Sequence, residues 1–244
     1  QGFSSSFLIF FYQIALGGLF ALAGTPFHEI ERAFYKSTAG VLYVIALLGL
    51  WGKSSLYWQT LSRQFSVGIA LEVIFHVAFI VCFSCYMFSL WTERQAFRAR
   101  SFASTVLIGA AGLALSAHGF YRAPFFSVES VLYPAAFFLY SLLLGGVTVG
   151  MLIGHWYLID TGQSLDPFIR IFKFFLVALI AQCAFLASSP LALYLFGTPQ
   201  SSFAMQRLWQ DHSMLLTTRL VVGQAAPLIL AWMIWRTLLI PHTM

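Results

Sequence analysis

The sequence predicts an all-α integral membrane protein, a polytopic helical bundle with about seven transmembrane helices. Of its 244 residues, 60% are apolar and only 9% are charged, whereas a soluble domain carries about 25% charged residues. So few charges cannot cover the surface of a water-soluble globule. The apolar residues also form continuous runs without the alternation of a β-barrel strand, which favours helices.

Seven apolar segments follow one another along the chain, and a helix needs about 20 residues to cross the bilayer core. Five of them are long enough for this, or nearly so, whereas the second and fourth are short. We expect the short ones to be tilted, extended into their neighbours or partly interfacial. The segments are placed at residues 7–24, 38–52, 65–91, 102–117, 131–157, 168–196 and 215–239.

The tryptophans support these segment boundaries. Indole prefers the headgroup region, where its ring is half buried and its N–H is hydrated. All seven fall at or near segment ends, namely Trp51, Trp58, Trp91, Trp156, Trp209, Trp232 and Trp235.

The fourth and fifth segments are predicted to pack through small residues. Gly146, Gly150 and Gly154 are spaced at four in the fifth segment, so they form one stripe that a neighbouring backbone can approach closely. Gly145 widens this stripe, and Gly109 belongs to a matching small-residue surface on the fourth segment. We expect intramolecular packing, with close approach to a flat cofactor or a partner subunit as the alternative.

The sixth and seventh segments each contain a proline. Pro190 and Pro227 lack a backbone N–H, so we expect both helices to be kinked or loosened there. The loops between the segments are short. We therefore expect a single transmembrane domain over residues 1–244, with no soluble domain.

Counting lysines and arginines orients the chain. The side of the N-terminus, called side A, receives five and the opposite side B receives eight, which by the positive-inside rule places side B in the cytoplasm. We expect a bacterial inner membrane, with the N-terminus outside. Side A has Lys53, Arg63, Arg122, Arg207 and Arg219, and side B has Arg32, Lys36, Arg94, Arg98, Arg100, Arg170, Lys173 and Arg236.

Ionisable residues at membrane depth are costly, so they are the first candidates for function. Glu72 and His76 lie four apart on one face of the third segment, and Arg219 enters the seventh segment from the same side. We expect Arg219 to pair with Glu72 and Gln224 to lie near the depth of His76. These four side chains could bind a quinone head or relay protons, and the alternative is a structural ion pair with a core histidine.

The remaining histidines are candidates for cofactor binding. A b-type haem needs two axial imidazoles on different helices at one depth, and His76 has no histidine partner at its depth. A haem at His76 would need a non-histidine ligand or a ligand from another chain. A superficial haem would use His28 with His155, or His118 with His212. No specific metal motif is present, and the segment around His28 is better interpreted as an amphipathic interfacial helix than as a His/carboxylate metal site.

Three functions are compatible with these residues. The first is a membrane-embedded subunit of a respiratory or photosynthetic-type electron-transfer complex, which docks redox partner subunits and binds quinone or haem b. The second is an accessory scaffold subunit of a multi-protein complex, and the third is a transporter or channel. The sequence has no nucleotide-binding or hydrolase motif, and its positive charge is typical of membrane orientation, with no nucleic acid partner expected.

The chain begins at Gln1 and ends abruptly at Met244. We expect the sequence to be incomplete at one or both ends. An eighth helix beyond Met244 is therefore an alternative to the seven-helix count.

Overall fold

The structure is a computed structural model that describes residues 2–25, 27, 30–63, 66–120, 126–160 and 162–239. These residues form nine α-helices and one π-helical turn. The helices are α1 (Gly2–Ala23), α2 (Arg32–Arg63), α3 (Val67–Ser89), α4 (Gln95–His118), α5 (Glu129–Trp156), α6 (Asp166–Phe196), α7 (Pro199–Gln210), α8 (Ser213–Leu220) and α9 (Ala226–Leu238), and the π-helical turn is Val221–Ala225.

The described helices confirm the predicted fold class. Six are long and apolar enough to cross a membrane, if α8, the π-helical turn and α9 are counted as one, and a shorter apolar helix covers Phe7–Ala23. Many large apolar side chains on these helices are exposed, as in the lipid-facing helices of membrane proteins. The protein is therefore an integral membrane bundle of about seven helices that contacts the bilayer.

The two short predicted segments belong to longer helices. The second segment was placed at 38–52, but α2 continues to Arg63, and the fourth, placed at 102–117, begins seven residues earlier at Gln95. Polar residues in these extensions ended the apolar runs without ending the helices. One helix, α7, was not predicted, and Pro199 lies at its first turn, where its missing N–H costs nothing.

The chain divides into two compact units. The first comprises Gln1–Arg122 and Tyr133–Phe175, and the second comprises Ala123–Leu132 and Leu176–Met244. In the first unit α1 packs against α2 and α4, and α3 packs against the same two helices. These four helices form a closed ring of contacts around buried side chains such as Leu16, Phe79 and Leu113.

Glycines hold α5 against α1. A Cβ on Gly145 would collide with the backbone of Gly17, and one on Gly17 would collide with the Ser141 carbonyl. The close approach lets the Ser141 hydroxyl donate to the Gln13 carbonyl at 2.8 Å and the Gln13 amide donate to the Phe137 carbonyl at 3.2 Å. Backbone contact and hydrogen bonds between helices thus replace the hydrophobic effect, which is weak between helices in lipid.

The predicted glycine stripe packs within the chain, which confirms the intramolecular interpretation. Gly146 faces the Phe174 ring, and a Cβ on Gly150 would meet Ile171 at 3.6 Å, so the neighbour of the stripe is α6. The expectation that α4 supplies the matching surface was wrong. Gly109 of α4 faces Leu16 and Phe79 on α1 and α3.

In the second unit, Pro227 produces the expected loosening. The π-helical turn Val221–Ala225 lies just before it, because proline cannot donate a backbone hydrogen bond and its ring clashes with the carbonyl four residues earlier, that of Gly223. By contrast, α6 continues as an α-helix through Pro190.

Candidate functional site

The strongest candidate site surrounds the carboxylate of Glu72 in the first unit. Its Oε1 atom accepts hydrogen bonds from Lys53 Nζ at 2.8 Å, Tyr57 Oη at 2.9 Å and Ser116 Oγ at 2.7 Å. Among the described residues no hydrogen bond reaches Oε2, and 14% of the Glu72 side chain is exposed. One oxygen of the carboxylate therefore accepts three hydrogen bonds, whereas the other accepts none from the described residues.

His76 lies one turn further along α3 and is almost completely buried, at 1% exposure. Its Nδ1 is 2.8 Å from the Glu72 backbone carbonyl, which can only accept, so Nδ1 carries a hydrogen. Its Nε2 lies 3.4 Å from Ser116 Oγ. The imidazole is thus oriented by its own helix, and its second nitrogen points at the serine that also binds Glu72.

Aromatic rings enclose the imidazole on two sides. The Tyr12 ring lies 4.3 Å from it between centroids at an angle of 41°, and the Tyr57 ring lies 6.1 Å away. The Tyr12 hydroxyl donates to the Gly109 carbonyl at 2.9 Å. A Cβ on Gly112 would meet this hydroxyl, so the small residues of α4 make the room that places Tyr12 against His76.

Helix geometry places the polar atoms inside the helical segments. At about 1.5 Å rise per residue, Glu72 lies about 8 Å from the start of α3 and Lys53 about 15 Å from the end of α2. Apolar residues flank Glu72, and Lys53 is only 4% exposed although two serines follow it. A charged pair at such a position is costly unless its members satisfy one another, and the short Lys53–Glu72 ion pair meets this requirement.

Two of the four residues that the sequence expected to act as one set lie together in the first unit. Glu72 and His76 belong to the same site, and Lys53, which the sequence did not predict there, contacts Glu72. Arg219 and Gln224 belong to the second unit. There Gln224 lies in the π-helical turn and its side-chain carbonyl accepts a hydrogen bond from Cys183 Sγ at 2.9 Å.

The other candidate histidines in the described part of the chain lie at or next to helix ends. His155 is exposed at the C-terminal end of α5, His118 ends α4, and His212 is exposed just before α8. His28 lies outside the described residues. As an axial haem ligand His76 does not fit, because Ser116 stands at Nε2, where iron would have to bind.

Sequence reasoning missed four members of the site, namely Lys53, Tyr57, Ser116 and Tyr12. Lys53 was counted as a loop residue on side A because the apolar run ends before it. A signal was present in the spacing of Lys53 and Tyr57, which lie four apart and so share a helix face. For Ser116 and Tyr12 no comparable signal exists, because each residue contributes a single hydroxyl group within an apolar segment.

A second carboxylate, Glu129 of the second unit, was also missed, and its surroundings indicate a structural role. Its Oε1 accepts from the Thr198 backbone N–H at 2.7 Å, the Thr198 hydroxyl at 2.8 Å and the Ser201 hydroxyl at 2.6 Å. These groups form the N-terminus of α7, where a negative charge is favourable. Glu129 therefore fixes the turn between α6 and α7.

Within the part of the chain that the structure describes, no group of three histidine, cysteine or carboxylate side chains could hold a metal ion. Comparison of the chain with protein-family models, with curated proteins and with solved structures found no match.

Proposed function

We propose that the protein is a membrane-embedded subunit of an electron-transfer complex, and that the Glu72 site exchanges protons with a quinone. The observation that carries this proposal is a largely buried carboxylate beside an imidazole, with three donors on Oε1 and none on Oε2 among the described residues. Oxidation of a quinol to a quinone releases two protons and two electrons. A buried carboxylate next to an imidazole can take up the protons, and the electrons pass to the redox centre of a partner subunit.

The surroundings of the carboxylate support this role. Lys53 and Tyr57 hold the carboxylate through Oε1, which fixes the position of its other oxygen, as a general base requires. His76 lies next to Glu72 through Ser116, and an imidazole can both donate and accept a hydrogen through its ring nitrogens. The adjacent imidazole, which a purely structural ion pair would not need, distinguishes this carboxylate from Glu129, whose Oε1 also accepts three hydrogen bonds.

The proposed setting is a bacterial cytoplasmic membrane with the N-terminus outside, in a complex with other subunits. The site lies towards the end of α3 that faces side A, so protons released there would leave on the outer side. The short connections between helices leave the chain little extramembrane mass of its own, as expected of a subunit covered by its partners.

The test is to purify the complex from native membranes through a tag on this chain and to identify the quinones and partner subunits that co-purify. We expect bound quinone and a partner that contains haem or iron–sulfur clusters. In the Glu72→Gln variant, quinol-dependent reduction of that partner's redox centre per assembled complex should fall by about a hundredfold or more, the usual loss on removing a general base. Glu93→Gln, an exposed carboxylate before α4, is the matched control.

The same experiment separates this function from a scaffold role. A scaffold predicts that Glu72→Gln lowers the amount of assembled complex and leaves the turnover of each complex unchanged. That result, or a tag purification without any redox partner, would contradict the proposal.

A further inference from the structure

The hydroxyl of Ser116 is the shared contact of two ionisable groups on α3. Its Oγ lies 2.7 Å from Glu72 Oε1 and 3.4 Å from His76 Nε2. Ser116 is 1% exposed, so water is excluded from its side. It is therefore the direct polar link between the carboxylate and the second imidazole nitrogen.

The number of hydrogens on the serine, the imidazole and the carboxyl group makes this link depend on the charge of both neighbours of Ser116. Nδ1 of His76 already donates to the Glu72 carbonyl, so Nε2 carries a second hydrogen only in the imidazolium form. If Ser116 donates its single hydrogen to Glu72, its oxygen can accept only from an imidazolium. If it donates to a neutral Nε2, its oxygen accepts instead from a protonated carboxyl group.

We propose that Ser116 is a positioning residue through which Glu72 and His76 share one proton. In the transfer, the Nε2–H bond breaks as a new Oγ–H bond forms, and the original Oγ–H bond breaks as an Oε1–H bond forms. Imidazolium and carboxylate become neutral imidazole and carboxylic acid, the serine is regenerated, and no electrons move. Both forms keep every hydrogen bond along the line from Nε2 to Oε1.

The other polar groups around the pair hold it in place but do not provide a second route. From α2, Lys53 Nζ and the Tyr57 hydroxyl reach Glu72 Oε1 and do not bridge to the imidazole. From α1, Tyr12 contributes its ring to His76, whereas its hydroxyl donates to Gly109. Among the described contacts, a side-chain path between the two ionisable groups therefore runs through α4.

This inference rests on the proposed proton role of Glu72, and it can be tested without a quinone or a partner subunit. The full chain is reconstituted in lipid nanodiscs and titrated with acid and base. The carboxyl infrared band, assigned by its loss in Glu72→Gln, reports Glu72, and the nitrogen chemical shifts of the imidazole, assigned by their loss in His76→Gln, report His76. We expect the two signals to change together over the same pH range, as coupled groups do.

In Ser116→Ala the midpoints of the two signals should separate by about one pH unit or more, because a hydrogen bond to a charged group is lost from each. Ser116→Thr keeps the hydroxyl and should restore the joint titration, which a merely structural role of Ser116 would not predict. Thr105→Ala is the matched control, since Thr105 is a buried hydroxyl of the same helix whose partner among the described residues is the Ser101 carbonyl.

Two results would overturn the inference, and they differ in what else they contradict. If Ser116→Ala titrates as the wild type does, the shared proton is wrong but the proton role of Glu72 stands. If neither signal of the wild type changes over the pH range in which the protein is folded, the proton role fails as well.

Discussion

Single residues decide how the charges of this membrane protein are neutralised. Lys53 and Glu72 are both inside apolar helices, and they form an ion pair of 2.8 Å. From the sequence alone, Lys53 is counted among the loop charges that orient the chain in the membrane. In the structure it lies within α2 and is only 4% exposed. The residue that matters for Glu72 was therefore present in the sequence but was assigned to the wrong environment.

Removing either partner of this pair should destabilise the protein. Lys53→Met leaves the Glu72 carboxylate without its cation, and breaking one side of a buried pair costs about 3–5 kcal/mol. Glu72→Gln should have a similar cost, whereas the double variant should be clearly more stable than the sum of the two losses predicts. Denaturant unfolding in detergent, followed by tryptophan fluorescence, measures these differences.

Lys36→Met provides the control for this cycle. Lys36 lies in the same helix, and its ammonium group lies 4.9 Å from the centre of the Trp91 ring, with no carboxylate in contact among the described residues. Its loss should cost about 1 kcal/mol or less. Strict additivity of the Lys53 and Glu72 effects would show that the pair contributes no interaction of its own.

At the scale of helices, the packing depends on where each glycine points. Gly145 and Gly150 lie in the same helix and look alike in the sequence. Gly145 meets the backbone of Gly17 on α1, whereas Gly150 leaves room for a methyl group beside Ile171 of α6. A spacing rule predicts that such residues face neighbouring helices, but it does not tell which neighbour comes close enough to exclude a Cβ.

The two glycines should therefore respond differently to alanine. Gly145→Ala should lower the stability by about 1–3 kcal/mol or more, because the added methyl group forces α1 and α5 apart. Gly150→Ala should be neutral or slightly stabilising, since its Cβ fits at 3.6 Å and alanine is the better helix former. Thermal stability by size-exclusion chromatography compares the two proteins, and equal losses would contradict the packing of α1 on α5.

At the scale of the whole molecule, the distribution of charges predicts the orientation in the membrane. The excess of lysine and arginine on side B predicts a cytoplasmic side B. Lys53 was counted on side A but lies within α2. Without Lys53 in the side A count, the excess of lysine and arginine on side B is larger, which favours the predicted orientation.

Cysteine labelling in intact cells tests this orientation. In a variant with Cys82, Cys85 and Cys183 replaced by serine, a new cysteine at the exposed Gln210 should react with a membrane-impermeable maleimide. A cysteine at the exposed Gln95, on side B, should react only after the cells are opened. The reverse pattern would show that the N-terminus lies in the cytoplasm.

The sequence by itself determined that this is a helical membrane protein, where its apolar helices lie, and that Glu72 and His76 share one helix face. These features depend on composition and on local periodicity, which a single chain displays directly. The tertiary structure decided that Lys53, Tyr57 and Ser116 meet on one oxygen of Glu72. Those partners are 19, 15 and 44 residues away from it, and which helices become neighbours depends on side-chain packing, which leaves no periodic signal in the sequence.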